Sequence, residues 1–391
     1  MLLPCQSHLF DLQDDKVCYA SGSSRSPMPK SVREIGIQTL NRKARTPWNL
    51  GYDEIEESLR DAWKRLVNAP SNDYFAFVPS CSYAMSTAAK ILSKHLKKDD
   101  EILILRDQYS SNVYCWQATG FKVVALSRGD GFMKRIETIM KQSDCRVKIV
   151  SLPQVQWCDG EAIDLERVGR LCRARGAHLV VDATQSLGAV PFDVQRIENL
   201  AFVAASSHKW LMGPYGVCML YVTSRFWSCD DAEPLEQHEH NRQGADGKTC
   251  LPYPYEKKFK KGARAFDSGG RPNPVLLPMA LEGVNVVLKW EPRRVLFTIR
   301  SLLKPLVMMI SESCNNRLRI PSSYHHFFGI SCKDDVTWAD RCSSYLKANG
   351  FIVPSRFGSL RVSPHVYNTP DQIKRLARLI SRFEKDRSVL L

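Results

Sequence analysis

Between about residue 50 and residue 225, short apolar runs alternate with stretches whose apolar residues recur at helical spacing. That alternation predicts a mostly parallel sheet covered by helices, because each parallel connection needs a crossover long enough to hold a helix. Ile55, Leu59, Trp63 and Leu66 fall on one face of a helix over residues 52–67, and residues 83–96 read as a second helix. Apolar runs at 102–105, 123–126 and 147–152 read as buried strands. After a helix over 165–175, further strands are expected at 178–181, 200–205 and 217–222.

From about residue 229 to residue 266 the pattern lapses into polar, charged and Gly- or Pro-bearing sequence, which predicts a long irregular excursion over the surface. The expected organisation is therefore a large α/β domain over 30–265 and a smaller α+β C-terminal domain over 266–391, joined by the N-terminal segment 1–29. The second domain carries a long helical stretch over 275–313, a mixed segment to residue 357, and a closing helix. Ile373, Leu376, Ile380 and Phe383 share one face of that helix, a stripe better suited to a core than to a partner.

Composition changes this picture little. The chain has 391 residues, 44% hydrophobic and 25% charged, which is ordinary for a soluble globular protein with room for two domains. No apolar run approaches the roughly 20 residues of a membrane span, and the first residues lack a basic leader before an apolar run. A cytoplasmic enzyme without membrane partners is expected. The 13 cysteines are scattered without CxxC pairs or His partners at ligand spacing, so reduced thiols and no metal site are expected.

The formal charge of +14 suits nucleic acid, an anionic surface or anionic small molecules. Its densest run, Lys257, Lys258, Lys260, Lys261 and Arg264 near Tyr253 and Tyr255, is only a few residues long. It reads as a solvated loop rather than a nucleic-acid patch.

Candidate chemistry enters at two strand ends. Residues 180–185, VVDATQ, end a buried strand with the Asp182 carboxylate, and residues 206–210, SSHKW, put Lys209 just after another. Parallel sheets bind ligands beyond the carboxyl ends of their strands. Taken singly, Asp182 also suits a helix N-cap and Lys209 a solvated surface position. Taken together with Gln185 and His208, they form a D-x-x-Q and an S-x-H-K motif one crossover apart.

This joint pattern resembles the class V aminotransferase superfamily of fold type I enzymes, which depend on pyridoxal 5'-phosphate (PLP). The resemblance runs from about Tyr19 to Phe383 and includes the stretches DQYSSNVYCW, DATQSLGA, SSHKWLMGPYG, GARAFDSGGRPN and RVSPHVYNT. It implies that Lys209 forms the Schiff base with PLP and then moves the substrate proton. Asp182 would keep the pyridine nitrogen protonated, Gln185 would bond the phenolic oxygen, and Tyr109 would cover one face of the ring. Cys81 and Ser82, at a helix N-terminus, together with Ser206 and His208, would cradle the phosphate. Relatives usually carry glycine where Ser80 stands.

The resemblance further implies that Gly270 and Arg271 reach the phosphate of an adjacent subunit in a homodimer, and that Arg361 fork-binds a substrate carboxylate. Arg25 and His365 are expected at the same mouth. Desulfurases of the superfamily carry a nucleophilic cysteine shortly before that arginine, and this chain has none between Gly350 and Arg361; Cys342 falls in an expected helix, as an inert buried thiol. An aminotransferase acting on a small amino-acid-like substrate is expected. The alternatives are a PLP-dependent β-elimination or C–S lyase, and a binding protein that keeps the fold without catalysis.

Overall fold

The computed structural model describes residues 1–12, 17–49, 53–129, 131–227, 233–245, 251–270, 273–313 and 317–387. Near the N-terminus lie a two-residue strand, β1 (Cys18–Tyr19), and the helices α1 (Lys30–Arg45) and α2 (Asp53–Val67). The central sheet is built from β2 (Phe75–Val78), β3 (Glu101–Leu105), β4 (Lys122–Leu126), β5 (Val147–Pro153), β6 (His178–Asp182), β7 (Leu200–Ser206) and β8 (Cys218–Val222). Their spatial order is β2-β8-β7-β6-β5-β3-β4, and β8 alone runs against its neighbours.

The crossovers hold α3 (Cys81–Ser93), α4 (Tyr114–Gln117), α5 (Phe132–Lys141) and α6 (Leu165–Arg175). Strand alternation sends Leu179 and Val181 to one face of the sheet and Val180 to the other. Each face has its own apolar cluster, so helices can cover both. The expected parallel sheet is therefore present. Strand β2 escapes the hydrophobic pattern because its four residues are too short to show a period.

The long helical stretch expected over 275–313 is made of two helices: α7 (Leu276–Trp290) and α8 (Pro292–Ser313). Glu291 between them takes φ 64°, and a proline disfavours helical conformation in the residue before it while suiting the first position of the next helix. Helix α7, expected with the C-terminal domain, packs against α1 and α2.

The C-terminal part holds β9 (Leu318–Arg319), β10 (Phe328–Cys332), α9 (Trp338–Ala348), β11 (Phe351–Ile352), β12 (Ser355–Arg356), β13 (Ser359–Val362) and α10 (Pro370–Arg387). Four of its strands form an antiparallel sheet in the order β12-β13-β10-β9. On α10, Ile373, Leu376 and Ile380 are buried, and Phe383 packs against Tyr345 and Trp338, so the closing stripe is core. Cys342 is buried in α9, where burial pushes its thiol well up from its ordinary value.

The N-terminal segment is stitched to this domain. β1 pairs in parallel with β11, the Gly22 N–H donates to the Ser363 carbonyl at 2.9 Å, and the Ser363 N–H donates to the Ala20 carbonyl at 3.0 Å. Among the described residues no helix is long and apolar enough to cross a membrane, and no group of His, Cys, Asp and Glu is placed to hold a metal ion.

Candidate active site

Loops leaving the carboxyl ends of β2, β3, β5, β6 and β7 converge on a cavity of about 460 Å³, a size suited to a cofactor with a small substrate. Its floor contains Asp182, the last residue of β6, whose Oδ1 accepts the Thr184 N–H at 2.9 Å. Immediately past β7, the Ser207 N–H donates to the Val217 carbonyl at 3.0 Å, which turns the chain and sends Lys209 into the cavity. Gly188 makes room for that turn. It holds φ +104°, and a Cβ there would lie 2.2 Å from the Trp210 carbonyl oxygen.

The Lys209 amine forms no hydrogen bond and no ion pair among the described residues; its Nζ lies 5.4 Å from the centre of the Tyr109 ring. Burial pushes it down to about 8, against the pull of the Asp182 carboxylate and with the push of the Arg361 guanidinium. An amine so placed has its free-base form within reach near neutral pH.

Gln185 donates one amide hydrogen to the Ser23 carbonyl at 3.0 Å and accepts from the Trp210 indole at 3.1 Å. These two bonds fix its orientation and leave its second amide hydrogen. Tyr109, 46% exposed, meets Trp157 edge to face at 5.5 Å.

Helix α3 starts at the cavity wall. Ser80 caps it in extended backbone, φ −159°, accepting the Tyr83 N–H at 3.1 Å and sharing a 2.9 Å hydrogen bond with Ser82. Nothing in that geometry requires glycine. Cys81 and Ser82 line the wall, and burial together with the Asp182 carboxylate holds the Cys81 thiol well above its ordinary value. Ser206 and His208 line the same cavity. His208 stacks on Tyr215 with ring centres 3.9 Å apart, and burial pushes its imidazole down to about 4, so it is neutral at ordinary pH.

The mouth comes from farther along the chain. Arg361 on β13 lies opposite Gly329 on β10, where a Cβ would come within 2.9 Å of the Asp159 Cα. That close approach, with the Gly329 N–H donating to the Asp159 carbonyl at 2.7 Å, seats the C-terminal sheet on the loop after β5. Arg361 is 2% exposed; it donates through Nη1 to the Trp157 carbonyl at 2.6 Å and through Nη2 to the Ser24 hydroxyl, while its buried Nε has no hydrogen-bond partner among the described residues. Burial, with Arg356 adding to it, pushes the guanidinium down to about 10. Arg25 also lines the cavity.

His365 does not reach the mouth. It is buried behind Trp210, ring centres 5.2 Å apart, and burial pushes it down to about 3. Gly270, at φ +69°, lies outside the cavity lining, and Arg271 lies outside the described residues. The motif reading passes over Gln108, Asn112, Gln156, Trp157, Thr184, Tyr215 and Arg356, all of which line the cavity. The strand-end rule that singles out Asp182 applies equally to Gln156 and Trp157 after β5. No comparable signal marks Arg356.

The residues present suit PLP. A helix N-terminus with hydroxyl groups lines the cavity and suits an anion, a carboxylate lies at the cavity floor, and an amine with lowered basicity, without a hydrogen-bond or ion-pair partner among the described residues, stands beside an aromatic face.

Comparison with known proteins gives the same direction. The model of the aminotransferase class-V family matches residues 44–278. An uncharacterised aminotransferase, YcbU of Bacillus subtilis, is 24% identical over 350 residues, covering 89% of this chain and 88% of that protein. The apo cysteine desulfurase of Thermococcus onnurineus superposes with a TM-score of 0.82 at 18% identity, covering 99% of both chains. A mutant of C-DES with glycine covalently linked to its PLP cofactor superposes with a TM-score of 0.80 at 15% identity, covering 96% of this chain and 99% of that one.

Proposed function

The chain belongs to the class-V aminotransferases and is a PLP-dependent enzyme, a transferase or a lyase, and from that premise we propose an aminotransferase that acts through Lys209 on a small amino-acid-like substrate. The observation that carries the proposal is the Lys209 amine, without a hydrogen-bond or ion-pair partner among the described residues, pushed down to about 8 by burial, with the Asp182 carboxylate opposing and the Arg361 guanidinium adding to that shift. When bound, PLP supplies an electron sink that allows a bond at the substrate α-carbon to break.

The chain's own residues divide the remaining work. Lys209 would hold the cofactor covalently and, once released, carry the proton from the substrate α-carbon. The Asp182 carboxylate would accept the pyridinium N–H and so stabilise its charge. The second amide hydrogen of Gln185 is available to the phenolic oxygen. Tyr109 would cover the ring, and the start of α3 with Ser82, Ser206 and His208 would hold the phosphate. Arg361, whose Nε has no partner among the described residues, would orient the substrate carboxylate.

Elimination would use the same residues and differs in where the electrons go after the proton leaves. The segment 350–361 carries no cysteine to accept sulfur, which supports transfer over desulfuration. We also read the chain as a cytoplasmic homodimer, supported by the likeness of the loop at residues 269–273 to one that completes a neighbour's phosphate site; sedimentation at micromolar concentration checks this.

The deciding experiment incubates the holoenzyme with amino acids and sulfur-containing conjugates and follows keto acid, ammonia and thiol. Keto acid with pyridoxamine phosphate and no ammonia is expected. Ammonia with a released thiol would replace transfer by lysis. Borohydride reduction that labels a lysine other than Lys209 would overturn the site itself.

A further inference from the structure

Three guanidinium groups line the cavity mouth, those of Arg25, Arg356 and Arg361, and the only carboxylate lining the cavity among the described residues is Asp182. Asp182 belongs to the floor. It acts on Lys209 and Cys81, whereas the charged neighbour of Arg361 that lowers it most is Arg356. Among the described residues neither Arg25 nor Arg356 forms an ion pair, and Arg356 donates only to the neighbouring Ser355 carbonyl at 2.7 Å.

Arginines elsewhere around this site are treated differently. Arg128, beside the same mouth, is paired with Asp159 at 2.7 Å and Asp107 at 3.3 Å. Arg60, buried under β2, is paired with Asp267 at 2.6 Å. Arg128 and Arg60 are thus neutralised by carboxylates, whereas the exposed Arg25 and Arg356 are not, and the mouth stays cationic. A monocarboxylate amino acid uses one fork, which Arg361 supplies. Two cations then remain to face the substrate side chain, and a cationic cleft concentrates anions.

We propose that Arg25 and Arg356 form a second anion subsite, so that the substrate is an amino acid whose side chain ends in a carboxylate or another oxyanion. This rests on the reading of Arg361 as the clamp for the α-carboxylate. The half-buried Trp157 ring packs edge to face with the exposed Tyr109 and Phe357 rings; Trp157 and Tyr109 line the cavity and form the wall along which that side chain would lie. Arg356 is a specificity-determining residue here and takes no part in proton transfer.

The test is calorimetric and needs no turnover. Succinate, glutarate and adipate, and 3-sulfopropionate, are titrated into holoenzyme beside the monocarboxylates of equal length. At least one dianion should bind about tenfold more tightly than its monoanionic counterpart, the scale of one added charge-assisted contact at a partly exposed site. That preference should fall below about threefold in a double variant, Arg25→Gln with Arg356→Gln, with PLP absorbance unchanged. Holoenzyme that loads PLP normally yet binds dianions and monoanions equally would overturn the subsite while leaving the PLP reading intact. A preference that survives in the double variant would also overturn it. Failure to take up PLP at all would instead count against the parent reading.

Discussion

At the floor and inner wall of the cavity, Asp182, Lys209 and the residues at the start of α3 sit at the ends of strands in one sheet, locked by its ladders. The mouth draws Ser24 and Arg25 from the N-terminal segment, Trp157 from the loop after β5, and Arg356 and Arg361 from the C-terminal domain. The floor is also balanced in charge, with a carboxylate opposite an amine, whereas the mouth is cationic. The contrast teaches where each property resides. Chemistry that must not vary is carried on the rigid sheet, and selection among substrates is carried where separate segments meet.

If the floor governs chemistry, the largest loss should come from Asp182→Asn. Asparagine keeps the shape and can still accept the Thr184 N–H, but it lacks the charge that stabilises a protonated ring nitrogen. Turnover should fall by roughly a hundredfold or more while PLP stays bound, the scale seen when one preorganised electrostatic contact is removed. Near-normal turnover with the cofactor demonstrably present would mean that another group does this work.

If the mouth governs recognition, Arg361→Lys should leave PLP absorbance unchanged and cost about 2–3 kcal/mol in kcat/KM for amino-acid substrates. Lysine keeps the charge but cannot bridge the Trp157 carbonyl, the Ser24 hydroxyl and a carboxylate at once. Amines without a carboxylate should lose far less. Equal losses for both would show that Arg361 acts as a pin between the domains instead of a clamp.

The same division explains what the sequence reveals. Asp182 and Gln185 lie three residues apart on one strand end, and Ser206, His208 and Lys209 lie together on another, so their chemistry shows as short motifs. Buried strands such as β6 and β7 announce themselves as unbroken apolar runs. Arg356 carries no such mark, because its place at the mouth depends on Gly329 seating the C-terminal sheet against Asp159, a contact between residues far apart in the chain. His365 is misjudged for the complementary reason. It follows the RVS motif closely in sequence, yet ring packing turns it behind Trp210, away from the cavity. The break at Glu291 is local and legible in retrospect, since Pro292 stands beside it inside an otherwise continuous helical pattern.

Lys209 stands between the two regions and offers the finest test of the contrast. Only the free amine can attack an aldehyde, so the rate at which apoenzyme captures PLP should climb with pH and level off above about 8, where Lys209 loses its proton. An ordinary lysine would keep gaining to about 10.4. Burial supplies most of the lowering, the Asp182 carboxylate opposes it, and the Arg361 guanidinium adds to it. Removing the floor charge by Asp182→Asn should therefore move the midpoint further down. Removing the mouth charge by Arg361→Gln should move it up, each by as much as about one unit. Stopped-flow absorbance across pH 6 to about 10 reads both midpoints against the usual lysine range. Opposite displacements mean that Lys209 senses both regions through their charges. Displacements in one direction would mean that the substitutions change solvent access to the amine, and that charge from floor and mouth does not set its basicity.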